Sequence, residues 1–182
     1  MLYDIETQQP TSQFADVWSA AGHHLQNHGQ GAIYWLKCEL TPPFLEHLSF
    51  RIGNQLVFVR IEDKHGELEI PGNPHGVQII AEECNGLACR MPMSFVNDNW
   101  QPEYPDWGLI DLRSGTLINP VSLISSENIV MTDWEVQDIA VQLVGNHVQE
   151  KLGRKILSSQ ANPKVDPSIW LKGPNGPEWI VV

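Results

Sequence analysis

Positive charge is scarce in this 182-residue chain: 11 Lys and Arg stand against 22 Asp and Glu, a formal charge of −11. Charge of either sign is sparse, since charged residues make up only 18% where roughly 25% is usual. The apolar fraction is 42%, enough oily surface to drive collapse, which excludes a disordered polyelectrolyte. No run approaches the ~18 apolar residues of a membrane-crossing helix, so no membrane association is expected. A nonspecific nucleic-acid binder needs cations in excess to neutralise phosphates, and no nucleic-acid partner is expected here. Cysteine is also scarce: Cys38, Cys84 and Cys89 form an odd set, too sparse for a disulfide scaffold. The opening Met1-Leu2-Tyr3-Asp4-Ile5-Glu6 has two acids where an export signal has positive charge followed by an apolar run. The expected address is the cytoplasm.

What is present reads as a single α+β domain over residues 1–182, antiparallel β hairpins packed with two principal helices. The first helix is expected over about 12–27, because Phe14, Val17, Trp18, Ala21 and Leu25 recur at helical spacing. A strand follows at 32–38, broken by Pro42-Pro43. Leu48 to Ile61 reads as a hairpin about Gly53-Asn54, with Gly at the first central position of a type II′ turn. That register pairs Phe50 with Val57 and Leu48 with Val59. It puts Leu48, Phe50, Ile52, Val57, Val59 and Ile61 on one face. Val77–Ala81 and Leu87–Met91 read as a further strand pair, with Asn85-Gly86 as its turn. Residues 97–108 hold two prolines and three aromatics. They are expected as an ordered surface loop, and as the place for a subdomain seam if one exists. Short strands are expected around Ser114-Gly115.

The second helix is expected over 133–152. Thr132 and Glu135 have the spacing of a capping box, and Val136, Ile139, Ala140, Leu143, Val144 and Val148 form an apolar stripe. Gly153 suits the left-handed residue beyond the helix end. A strand at 155–160 and a hairpin of 168–171 with 178–182 close the chain. Acid is concentrated early: residues 1–149 sum to −13, residues 150–182 to +2.

Nucleophile elbows, phosphate loops and dinucleotide fingerprints are all missing from the sequence. His24 and His28 stand four apart, as zinc ligands on a helix do. They lack the Glu directly after the first His that a zinc peptidase uses, so a polar helix end is the expectation and no cofactor or metal is expected.

The order of a capped helix with Glu135, a strand, a loop with Asp166 and a hairpin with Glu178 resembles the core of PD-(D/E)XK nucleases. The resemblance covers about the last fifty residues, and it implies a divalent ion held by acids that activates water. The sequence departs from that pattern, because the position of the family's Glu-x-Lys falls in Ile180-Val181-Val182. The resemblance therefore implies a catalytically degenerate copy. The segments Thr132–Glu135, Val165–Trp170 and Gly176–Val182 are also similar to a group of uncharacterised bacterial cytoplasmic proteins.

Two functions follow as expectations. The favoured one is a soluble, non-catalytic binding protein whose acidic surface meets a basic protein partner, as an immunity protein or antitoxin does. Trp100 and Trp107, in the Pro-rich loop, are its candidate partner-binding anchors, since Trp is favoured at interface hot spots. The alternative is a metal-dependent nuclease-like enzyme using Glu135, Asp166 and Glu178.

Overall fold

The structure is a computed structural model that describes residues 11–36, 47–70, 74–128 and 130–182. Cys38 and the Pro42-Pro43 break lie outside the described residues. The architecture is α+β, in two compact units: a larger one within 10–129 and a smaller one formed by 130–182. The 97–108 segment belongs wholly to the larger unit.

The larger unit begins with helix α1 (Ser12–Gly29), capped by the Thr11 hydroxyl, which accepts from the Phe14 amide. Its buried face is Phe14, Val17, Ala21 and Leu25, the expected stripe apart from half-buried Trp18. Strands β1 (Ile33–Trp35), β2 (His47–Ile52) and β3 (Gln55–Asp63) run antiparallel. Phe50 faces Val57 and Leu48 faces Val59, the register that Gly53-Asn54 predicts. Gly53 sits at φ +55° and leaves no room for a Cβ beside Ile124, 2.9 Å away, so the turn needs glycine for both conformation and space. Both faces of this hairpin are buried, because Phe58 and Leu56 on the opposite side are as covered as Phe50.

The element that follows this hairpin corrects the sequence reading. Residues 74–83 are not a strand but helix α2 (Pro74–Glu83). The following strand β4 (Leu87–Val96) consequently pairs parallel to β3, Val57 with Leu87. Parallel neighbours need a crossover, and α2 supplies it. Asn85-Gly86 is therefore a helix stop and not a hairpin turn: Asn85 is left-handed at φ 51°, its amide bonds to the Glu82 carbonyl, and the Gly86 amide reaches back to Ala81. Cys84 and Cys89 are not bridged to each other. Burial, reinforced by Asp111, pushes the Cys89 thiol up to about 12, so it stays a packing group at neutral pH.

Strand β4 continues into β5 (Asn99–Pro102) through Asn97-Asp98, both at positive φ as a type I′ hairpin turn requires. Strands β6 (Leu109–Asp111) and β7 (Leu117–Ile118) complete the mixed sheet in the order β1-β2-β3-β4-β6-β7, with β5 also on β4.

In the smaller unit, helix α3 (Asp133–Glu150) packs against an antiparallel sheet of β8 (Ile156–Ser159), β9 (Ile169–Lys172) and β10 (Pro177–Ile180). Val141, Val144 and Val148 meet Ile156, Ile169, Leu171, Ile180 and Val182. The capping box at Thr132 and Glu135 is formed in full, and Gly153 is left-handed at φ 62°. The buried face differs from the expected stripe. Val136 and Leu143 are exposed, while Glu135, Asp138, Val141, Gly145 and Val148 are buried. The capping box directs Glu135 inward, and Gly145 lets β8 come close, since a Cβ there would stand 3.3 Å from Ile156.

Candidate functional site

The residues singled out in the sequence divide sharply. Trp107 is 5% exposed and its ring stacks on Phe50 with centroids 6.4 Å apart, while Trp35 meets Phe50 edge-on. Trp107 belongs to the core, which corrects its reading as an exposed anchor; Gly108 follows it at φ +65°, with Pro102 2.8 Å from where a Cβ would stand.

The acids of the nuclease-like resemblance have three different settings. The Glu135 carboxylate is fully buried and accepts from both the amide and the hydroxyl of Thr132. Glu178 accepts from the Arg154 guanidinium at 2.6 Å. Asp166 is exposed in the turn region before β9. Among the described residues, no three His, Cys, Asp or Glu side chains gather as a metal site would need. His24 and His28 do share a helix face, with ring centroids 4.2 Å apart. However, His24 Nε2 donates to the Asp106 carbonyl at 2.7 Å, so that ring is a tether between α1 and the loop after β5. Burial holds the His24 pKa below the usual value, the bond to Asp106 works against this, and neighbouring His28 adds to the lowering.

Trp100 lies in a different setting. Asn97-Asp98 closes a two-residue turn, so Phe95 and Trp100 are direct cross-strand partners on one face. Their rings meet at 5.3 Å, yet Phe95 remains 55% exposed. This aromatic pair forms one wall of a half-open groove of about 380 Å³. Helix α1, which packs beside β5, contributes Gln13 and Asp16 from consecutive turns. The end of β3 contributes Asp63, and the segment after it His65, Glu67 and Leu68.

The groove is acidic, and its acids have different roles. Both Asp63 oxygens are committed to the backbone: Oδ1 accepts from the His65 amide, Oδ2 from those of Glu67 and Leu68. Partial burial pushes the Asp63 carboxyl up, but the three amides together with His65 outweigh it and the net shift is downward. Asp63 therefore shapes the 63–68 turn and holds Glu67 at the rim. Asp16 and Glu67 are exposed, and no ion pair among the described residues engages them. Lys64, the nearest cation in sequence, is tied to Glu103, which also accepts from Ser94. The Lys64 hydrogen bond, followed by that of Ser94, holds the Glu103 carboxyl below its usual range. Among the described residues, neither Lys nor Arg lines the groove.

The sequence pointed to Trp100 but missed Asp16, Glu67 and Phe95. The available signal was Asn97-Asp98 between two aromatics, a two-residue hairpin spacing that makes Phe95 and Trp100 neighbours.

Residues 134–182 match a domain of unknown function, DUF8840. That match lies within the smaller unit and does not reach the groove. No curated protein and no solved structure matches the chain.

Proposed function

We propose that the chain is a soluble, non-catalytic binding protein whose acidic larger unit receives a basic protein partner, in the manner of an immunity protein or antitoxin. The observation that carries this reading is the groove of Asp16, Glu67, Phe95 and Trp100, which offers open carboxylates next to exposed Phe95 and half-buried Trp100, with no Lys or Arg of its own among the described residues. The distribution of charge supports it. Three cations of this unit face acids of their own, Lys64 with Glu103, Arg90 with Glu62 and Arg113 with Glu82. Carboxylates such as Glu69, Glu83, Asp98 and Asp106 remain exposed. A surface of one sign speeds encounter with a partner of the other sign and repels nucleic acid.

The test is the affinity of a purified basic protein partner, obtained by pull-down, measured at low and at high salt. Exposed charges are screened over ~10 Å at 0.1 M and ~3 Å at 1 M ionic strength. A steep loss of affinity with salt supports the reading, and a flat response removes it.

A further inference from the structure

We infer that the groove beside Trp100 is a seat for an arginine side chain, with the guanidinium stacked on the aromatic pair and its N–H groups directed to Asp16 and Glu67. The inference rests on the acidic-binder reading and names the group that the groove would take from the basic partner.

Three observations on different elements converge on it. The first is shape. A volume near 380 Å³ is at the small end of ligand pockets, which run roughly 300–1,000 Å³, so it suits one long side chain better than a docked helix or strand. The second is the aromatic wall. Phe95 and Trp100 are cross-strand partners held at 5.3 Å between centroids, and Phe95 is 55% exposed. Their ring faces attract a cation electrostatically. The third is the placement of charge. Asp63 has both oxygens occupied by backbone amides, which leaves Asp16 on α1 and Glu67 on the 63–68 turn as the carboxylates open to a ligand. They come from separate elements, so the groove presents two acceptors rather than one point of charge.

Arginine fits this arrangement better than lysine. The guanidinium is a flat ion that stacks on a ring while its in-plane donors reach carboxylates. The ammonium of lysine is compact and more strongly hydrated, and it gives up more on leaving water.

The test uses the full chain and a hexaarginine peptide, with hexalysine and hexacitrulline peptides as controls. Affinity is read by calorimetry, and the indole N–H of Trp100 by NMR. Hexaarginine should bind and shift the Trp100 signal. Hexalysine should bind more weakly, and hexacitrulline, which has nearly the same shape without the charge, should not bind measurably. Trp100→Ala should weaken hexaarginine roughly two- to thirty-fold, the range of a cation–π contact. Trp100→Phe, which keeps a ring and guards against a folding defect, should recover most of the loss. If hexaarginine binds with steep salt dependence but Trp100→Ala binds as the parent does, the groove inference falls and the acidic-surface reading stands. If hexaarginine and hexalysine bind equally with the Trp100 signal unmoved, the groove is again not the seat. If neither cationic peptide binds at low salt, both readings fall.

Discussion

Glu178 of β10 accepts a 2.6 Å hydrogen bond from the guanidinium of Arg154, just beyond the end of α3. The carboxylate that a nuclease-like reading would assign to a metal ion is thus answered by a cation from its own unit. Both side chains are substantially exposed, 32% and 47%, so the pair is screened by water and worth little to stability, about 1 kcal/mol or less. Glu178→Gln should lower the urea midpoint only slightly. Titration of the chain with manganese should give no heat. A saturable manganese site that Glu178→Gln removes would contradict this assignment.

Gly86 supports the crossover that the sequence did not reveal. A Cβ on it would lie 2.9 Å from Cε2 of Phe58 and 3.0 Å from the Leu56 carbonyl. The clash is with buried structure, since Phe58 has no exposed surface. Gly86→Ala should therefore destabilise the chain by about 1–3 kcal/mol, the usual cost of overpacking. A surface glycine without this contact would instead gain about 0.4–1 kcal/mol on the same change. A raised urea midpoint would show that the chain at Gly86 does not press on β3.

Thr132 closes the capping box of α3, taking the Glu135 amide on its hydroxyl while the Glu135 carboxylate returns to the Thr132 amide. Thr132→Ala should cost about 1 kcal/mol (0.5–2), typical for the loss of an N-cap. Thr132→Ser, which keeps the oxygen, should cost clearly less. Equal losses for Ala and Ser would mean that the methyl group and not the hydrogen bond matters.

His24 gives a pH dependence of definite sign. Burial lowers its pKa in the folded chain, so the unfolded chain takes up the proton first as pH falls. Its contribution to stability is complete above the unfolded value, roughly 6.5, and is lost as pH drops through that value toward the lower folded one. His24→Asn should flatten this part of a stability–pH curve between about pH 7 and 5. An unchanged slope in the variant would assign the dependence to another group.

The sequence revealed the elements whose signals are local. Gly53-Asn54 set the register of β2 and β3, and Thr132 with Glu135 marked the start of α3, because each needs only neighbouring residues. Helix α2 was misread because Val77, Ile79 and Ile80 are β-branched and sit between turn residues, the composition of a strand. The decisive fact is tertiary: Val77 and Ala81, four apart, are the buried pair while Ile79 is 44% exposed, which is helical and not alternating spacing. Trp100 and Trp107 looked alike in one Pro-rich segment. Their fates differ because β5 pairs with β4 and keeps Trp100 beside Phe95, whereas Trp107, beyond β5, stacks on Phe50 in the core. The groove was not legible, since Asp16, Glu67 and Phe95 lie far apart in the chain and meet only when α1, the 63–68 turn and the β4–β5 hairpin are assembled.

Reversal of charge at the groove tests the central claim most directly. In Asp16→Lys/Glu67→Lys, two exposed acids become cations without any change to the buried residues of α1. The affinities of hexaarginine and hexaglutamate are compared for parent and variant at low salt. The account predicts that the parent binds hexaarginine and not hexaglutamate, and that the variant loses at least ten-fold in affinity for hexaarginine. A variant that binds hexaarginine as tightly as the parent would contradict it.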